Sequence, residues 1–326
     1  MPAGSTSDFL HYDGQKGLIM NRFAVVTDST SNLSPGMAED LGLPIIPLNV
    51  HWGGESYLDG VTLDAQRFYQ WLMQRKDFPK TSQPSAGAFM DFFQATAEAQ
   101  NTDTILGIFI STEMSGTLAS AYQAKAELAE LRPDLRIEII DSRSVSMGLG
   151  LQVLAAQRAA RAGMDVEAGM REVLRCQEAL HIVFAVDTLE FLHRGGRIGG
   201  AARLLGSALN LKPVLTIENG SVEALEKVRS RRKSLRRVVE LAEQRLDGRQ
   251  PSELAFMSTA ADDDLAWMTE LVVDRLRPRR VYSVVLTPVV GTHGGPGTIG
   301  IAFHAMEDDS EWGGELGTHP SGEDGT

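Results

Sequence analysis

Short apolar runs alternating with longer stretches of helical composition constrain this chain more than any other feature. In the first half, residues 23–27, 44–50, 104–110 and 136–140 read as strands, with Ala-rich helical segments such as residues 115–131 between them. Strands that alternate with helices build βαβ units and a parallel sheet. The expectation is an α/β fold whose first domain, residues 22–163, is Rossmann-like, with its ligand-bearing edge at the strand C-termini. The second half has a different rhythm. Residues 149–162 and 166–176 read as helices and 181–186 as a strand. Residues 212–217 and 221–227 flank Asn219-Gly220, a pair that favours the tight turn of a hairpin. A basic helix over 230–246 precedes a strand (253–257), a helix (262–276) and strands at 281–287 and 298–304. Hairpins mixed with helices predict an α+β domain over residues 164–306. Residues 1–21 read as a loose leader, and residues 307–326, with little to bury, as a disordered acidic tail.

Charge and cysteine content narrow the partners. Lys and Arg number 31 against 43 Asp and Glu, a formal net charge of −12. An acidic chain repels phosphate backbones, so no nucleic acid partner is expected. No apolar run reaches the roughly 18 residues that span a bilayer, so no integral membrane segment is expected. The start of the chain lacks the cationic and apolar order of a secretory signal. Cys176 is the single cysteine, which excludes an intramolecular disulfide and fits a cytoplasmic location.

Four polar loops carry the candidate chemistry: Asp28-Ser29-Thr30, the segment from Lys80 to Ser85, the segment from Ser111 to Thr117, and the segment from Thr292 to Gly297. The third is a strand–loop–helix junction. Gly116 lets backbone approach a ligand, and the free N–H groups and dipole of the following helix favour an anion. Ser115 either caps that helix or donates its hydroxyl to a ligand. Hydroxyls and helix N–H groups without a fixed cation suit a singly charged carboxylate better than a triphosphate. Thr81 and Ser82 are donors on the second loop, where Ser85 reads as a helix cap and Pro84 stiffens the entry. His293 stands among Gly291, Gly294, Gly295 and Gly297, a setting of tight turns. Arg194 and Arg197 bracket Gly195-Gly196 and either hold an anion or make salt bridges. Arg229, Arg232, Lys233 and Arg236 share one helix face, either as a solvated surface or as a dock for an acidic partner. Leu204, Leu205, Leu209 and Leu211 are either core or the lining of an apolar tunnel. Zinc signatures, a Walker-type loop, a nucleophile elbow and a dinucleotide fingerprint are all missing.

Taken in order, Val25-Val26-Thr27-Asp28-Ser29, Thr81-Ser82-Gln83-Pro84-Ser85, Ile110-Ser111 with Ser115-Gly116-Thr117, Asp187-Thr188-Leu189 with Gly195-Gly196-Arg197-Ile198, Lys212-Pro213, and His293 with Gly295-Pro296-Gly297 resemble the DegV family from Phe23 to Phe303. The resemblance implies two α/β domains around a buried long-chain fatty acid. It also implies a carrier rather than an enzyme, without cofactor or metal, that presents the acyl carboxylate to a fatty acid kinase for acyl-phosphate formation and phospholipid synthesis. By matching motifs it assigns the carboxylate to Thr81, Ser115 and His293. Ser82, Ser111, Gly116, Thr117, Arg194 and Arg197 would support the site, and Arg229, Arg232 and Arg236 would face the partner. The residues leave two other functions open: an acyl ester hydrolase using Ser115 with His293, and a regulatory protein docking through the basic helix.

Overall fold

The computed structural model describes residues 22–206, 211–259 and 262–306. The leader, the acidic tail and Leu209 lie outside them. Strand β1 (Ala24–Asp28) runs into a 3₁₀ turn at Ser29–Ser31 and helix α1 (Pro35–Leu41), which Ser34 caps and Pro35 opens. The run expected as one strand over 44–50 is two. Strand β2 (Ile45–Ile46) pairs with β1, whereas β3 (Asn49–Trp52) joins a different sheet. Pro47 stands between them; it has no N–H to give a ladder, so the chain changes sheet there. Strand β4 (Glu55–Leu58), helix α2 (Ala65–Gln74) and strand β5 (Lys80–Ser82) follow, and β4-β3-β5 form a three-stranded antiparallel sheet. This insert is absent from the sequence expectation. It turns part of the expected Lys80–Ser85 loop into strand.

Helix α3 (Ala86–Gln100), strand β6 (Thr104–Phe109), helix α4 (Thr117–Leu131) and strand β7 (Arg136–Asp141) complete a parallel sheet in the order β2-β1-β6-β7. Its strand order reverses between β1 and β6, the place where open α/β sheets hold ligands. Asp28 knits that edge together. Its carboxylate accepts from Thr30 N and Ile110 N, both at 2.9 Å, and burial pushes its pKa up.

Helices α5 (Met147–Arg161) and α6 (Val166–Ala179) lead to the second sheet. Its parts are β8 (His181–Ala185), α7 (Glu190–Arg194), β9 (Val214–Glu218), β10 (Ser221–Glu226), α8 (Arg231–Leu246), β11 (Glu253–Ser258), α9 (Asp262–Leu276), β12 (Arg280–Val285), α10 (Pro288–Gly294) and β13 (Ile299–His304). The strand order is β10-β9-β8-β13-β11-β12, antiparallel except for the β11–β12 pair. The β9–β10 hairpin turns on Asn219 (φ 51°) and Gly220 (φ 80°), the left-handed pair the sequence predicts.

Helix α5 lies between the two large sheets. Residues 147–160 are buried except for Arg158, so the helix has no wet face. Gly150 permits the approach: a Cβ there would sit 2.8 Å from the Ser31 carbonyl oxygen. Arg158 reaches across to β11, where its two terminal nitrogens donate to the Glu253 carboxylate at 2.9 Å each. His304 Nε2 (3.0 Å), the Tyr282 hydroxyl (2.8 Å) and, farther off, Arg280 Nη1 (3.8 Å) also surround the carboxylate. Burial alone would raise the Glu253 pKa. The His304 hydrogen bond and the Arg158 charge outweigh it and hold the carboxyl down at about 2. Among the described residues no helix is long and apolar enough to cross a membrane.

Candidate functional site

A cavity of about 910 Å³, counting its open mouth, lies between the C-terminal edge of the parallel sheet and the inner face of the six-stranded sheet. Thr30, Ile110 and Val145 line it from the first side, and Phe184, Ile217 and Met257 from the second. Leu48, Leu192, Leu286, Val289 and Val290 add to its aliphatic walls. Thr81, Ser82, Gln83, Ser115, Arg197 and His293 are among its polar members.

Four distant segments hold Thr81, Ser115, Arg197 and His293. Strand β5 carries Thr81, paired with Val50 of β3. Its hydroxyl lies 2.9 Å from His293 Nε2. His293 was expected in a loop; it sits in the last turn of α10, which starts at Pro288. Asp59 anchors that helix by accepting from Val289 N at 3.0 Å, and burial pushes its pKa up to about 6. Burial, then the neighbouring charge of Arg197, lowers the His293 pKa to about 4, so the imidazole is neutral at neutral pH. Its Nδ1 has no hydrogen-bond partner among the described residues and faces Gly195, where a Cβ would lie 2.2 Å away. Any larger residue at 195 would evict the ring.

Arg197 follows that glycine pair. Its Nε donates to the Met114 carbonyl at 2.9 Å and its Nη1 to the Gly195 carbonyl at 2.8 Å. These bonds fix the guanidinium without neutralising it, because no carboxylate pairs with it among the described residues. The sequence reading of an anion site without a fixed cation is therefore corrected: Arg197 supplies one, and it belongs to the centre rather than the periphery. Its partners were invisible because they are main-chain carbonyls brought in by folding.

Ser115 precedes α4, whose N-cap is Gly116. Its hydroxyl pairs with Thr117 Oγ1 at 2.8 Å and accepts from Thr117 N at 3.3 Å. It thus tends the helix start while lining the cavity. Ser115 and His293 share no hydrogen bond, so the nucleophile–base pair of a hydrolase is not assembled. Gly116 packs against Gln83, and Thr117 is fully buried.

Ser82 also borders the cavity, but it alternates with Thr81 along β5 and its hydroxyl meets His51 Nε2 at 2.8 Å. The remaining expected residues do not line the cavity. The buried Ser111 hydroxyl donates to the Gly220 carbonyl at 2.8 Å, tying the loop to the β9–β10 turn. Arg194 is exposed, pairs with Glu190 at 3.1 Å and stacks over Phe78. Leu204 is core, Leu205 is exposed and Leu211 is half-buried; none of the three lines the cavity. Arg229, Arg232 and Arg236 are exposed, with Arg232 over Trp267. Arg231 and Arg237, in the same basic run, are instead held by Asp187, Asp264, Glu226 and Glu240. Among the described residues no cluster of His, Cys, Asp and Glu could hold a metal ion.

The fold and the site define an α/β protein that encloses an apolar cavity between two sheets, with polar groups gathered where two hydroxyls, a neutral imidazole and a guanidinium meet. The model of the family described as uncharacterised proteins of the DegV family matches residues 22–306. A DegV domain-containing protein of Deinococcus radiodurans is 36% identical over 284 residues, covering 87% of this chain and 98% of the relative. Among solved structures, one described as fatty acid binding of a DegV family protein from Thermus thermophilus has a TM-score of 0.81 at 33% identity, covering 87% of this chain and 100% of that one. A stearic acid-binding protein from Eubacterium ventriosum has a TM-score of 0.80 at 27% identity, covering 87% and 98%. DegV, a fatty acid binding protein from Bacillus subtilis, has 0.78 at 28%, covering 87% and 99%. The chain belongs to the DegV family.

Proposed function

We propose that this protein binds one long-chain fatty acid in the apolar cavity and, in the cytoplasm, presents its carboxylate to a fatty acid kinase. The observation that carries the reading is the uncompensated Arg197 guanidinium beside neutral His293 and the Thr81 and Ser115 hydroxyls, all lining one apolar cavity. A buried carboxylate needs donors and a counter-charge, and these groups supply both. With Nε2 carrying the imidazole proton, His293 donates to Thr81 and leaves the Thr81 hydroxyl free to donate to the ligand. Each methylene of the chain adds about 0.8 kcal/mol on burial, so no metal or cofactor is needed for tight binding. The fatty acids named in the descriptions of the Thermus, Bacillus and Eubacterium structures support this ligand class.

In the kinase step, a carboxylate oxygen attacks the γ-phosphorus of the kinase's ATP and the bond to the β-phosphate oxygen breaks. The products are acyl phosphate and ADP. The exposed Arg229, Arg232 and Arg236 form the surface offered to the kinase.

Native mass spectrometry of the purified protein, followed by extraction, tests the ligand. One fatty acid per chain is expected; an empty protein that also takes up no added palmitate refutes the reading. Thr81→Ala and Ser115→Ala should each weaken palmitate binding by about 1–3 kcal/mol. Unchanged affinity in both would put the carboxylate elsewhere. Charge reversal at Arg232 and Arg236 should abolish capture of the kinase while sparing lipid binding, and undiminished capture would exclude this surface.

A further inference from the structure

A second cavity, about 1110 Å³ counting its open mouth, adjoins the first and is lined by polar residues, among them Gln177, His181 and Arg245. The two cavities share two lining residues, Ile182 and Ile217. Sheet register explains the coincidence. Val183 pairs with Thr216 across β8 and β9, so the next antiparallel rung sets Ile182 opposite Ile217 with both side chains on one face. It is the last apolar rung there: the neighbours outward are half-buried His181 and exposed Glu218. Helix α5 packs closely on the rung through Gly148, where a Cβ would lie 2.3 Å from Ile182 Cδ1. From this rung β8 runs the other way, toward α7 and the Gly195 that touches His293. The rung thus stands at one end of β8, and the imidazole lies past the other. Behind the rung, Arg245 Nη1 donates to the Ile182 carbonyl and Thr216 Oγ1, each at 3.0 Å.

We propose that Ile182 and Ile217 are specificity-determining residues: as the partition between the apolar and polar cavities, they end the acyl chain against hydrocarbon and exclude chains with a hydroxyl or carboxyl at the far end. This rests on the fatty acid reading above. A polar terminus pressed against two isoleucines loses water and gains no partner. Shortening both side chains joins the cavities and gives that terminus the polar groups around His181, Gln177 and Arg245.

The test is competition between palmitate and hexadecanedioate on the full chain. Wild type should prefer palmitate by about a hundredfold or more, and Ile182→Ala/Ile217→Ala should cut that preference by about tenfold or more, through tighter diacid binding. Should the alanine variant fail to melt cooperatively, Ile182→Val/Ile217→Val reads the same ratio, with an expected change of about threefold. An unchanged ratio in a folded variant, or a wild type that takes both ligands equally, overturns the partition. A wild type that binds neither ligand overturns the fatty acid reading instead.

Discussion

Arg197→Met is expected to weaken palmitate binding by about 3–5 kcal/mol, hundreds- to thousandsfold, which titration of delipidated protein would measure. Methionine keeps much of the packing volume and removes the charge, so the ligand carboxylate would be left in the cavity with hydroxyls and a neutral ring alone. Arg197→Lys should recover part of the loss. An ammonium keeps the charge but cannot reproduce the two carbonyl contacts, to Met114 and Gly195, that aim the guanidinium. A methionine variant that binds as tightly as wild type would show that the carboxylate finds its counter-charge elsewhere.

The largest effect on folding is expected at Arg158. Arg158→Met leaves Glu253, 2% exposed, with only the longer 3.8 Å contact to Arg280 as a counter-charge, and should cost up to about 3–5 kcal/mol at neutral pH, read as a lower urea midpoint. The pH dependence follows in sign. The Glu253 carboxyl is held at about 2, below its ordinary 4.5. Its contribution is therefore complete above the ordinary value and is lost as pH falls through about 2. At about 1.4 kcal/mol per unit, that contribution is about 3 kcal/mol. Arg158→Met should move the acid limb of the stability curve upward. Adding Glu253→Gln should restore part of the midpoint by removing the stranded charge. A midpoint unmoved by Arg158→Met would mean that Arg280, His304 and Tyr282 suffice to hold the carboxylate.

Apolar periodicity made the alternating elements of the parallel sheet, the Asn219-Gly220 hairpin and the basic helix legible. It failed at the insert, where β3 merges with β2 into one expected strand and β4, short and carrying Glu55 and Ser56, gives no strand signal. That failure also hid a site detail: without knowing that Lys80–Ser82 is a strand, Thr81 and Ser82 look equivalent, whereas alternation sends one hydroxyl to His293 and the other to His51. Thr81, Ser115 and His293 were readable as polar residues on candidate loops. The weight of Arg197 was not, because being unpaired is a property of the folded chain. Leu204 and Leu205 could be read as core or as tunnel wall; Leu204 is core and Leu205 is exposed, because an apolar run does not say which of its members fold inward.

The Thr81–His293 contact joins residues 212 positions apart. A chain still on the ribosome lacks the imidazole until α10 has been synthesised and has folded back over the insert. On the fatty acid reading proposed above, a fragment that ends before α10 lacks the His293 side of the head-group pocket, however well its parallel sheet forms.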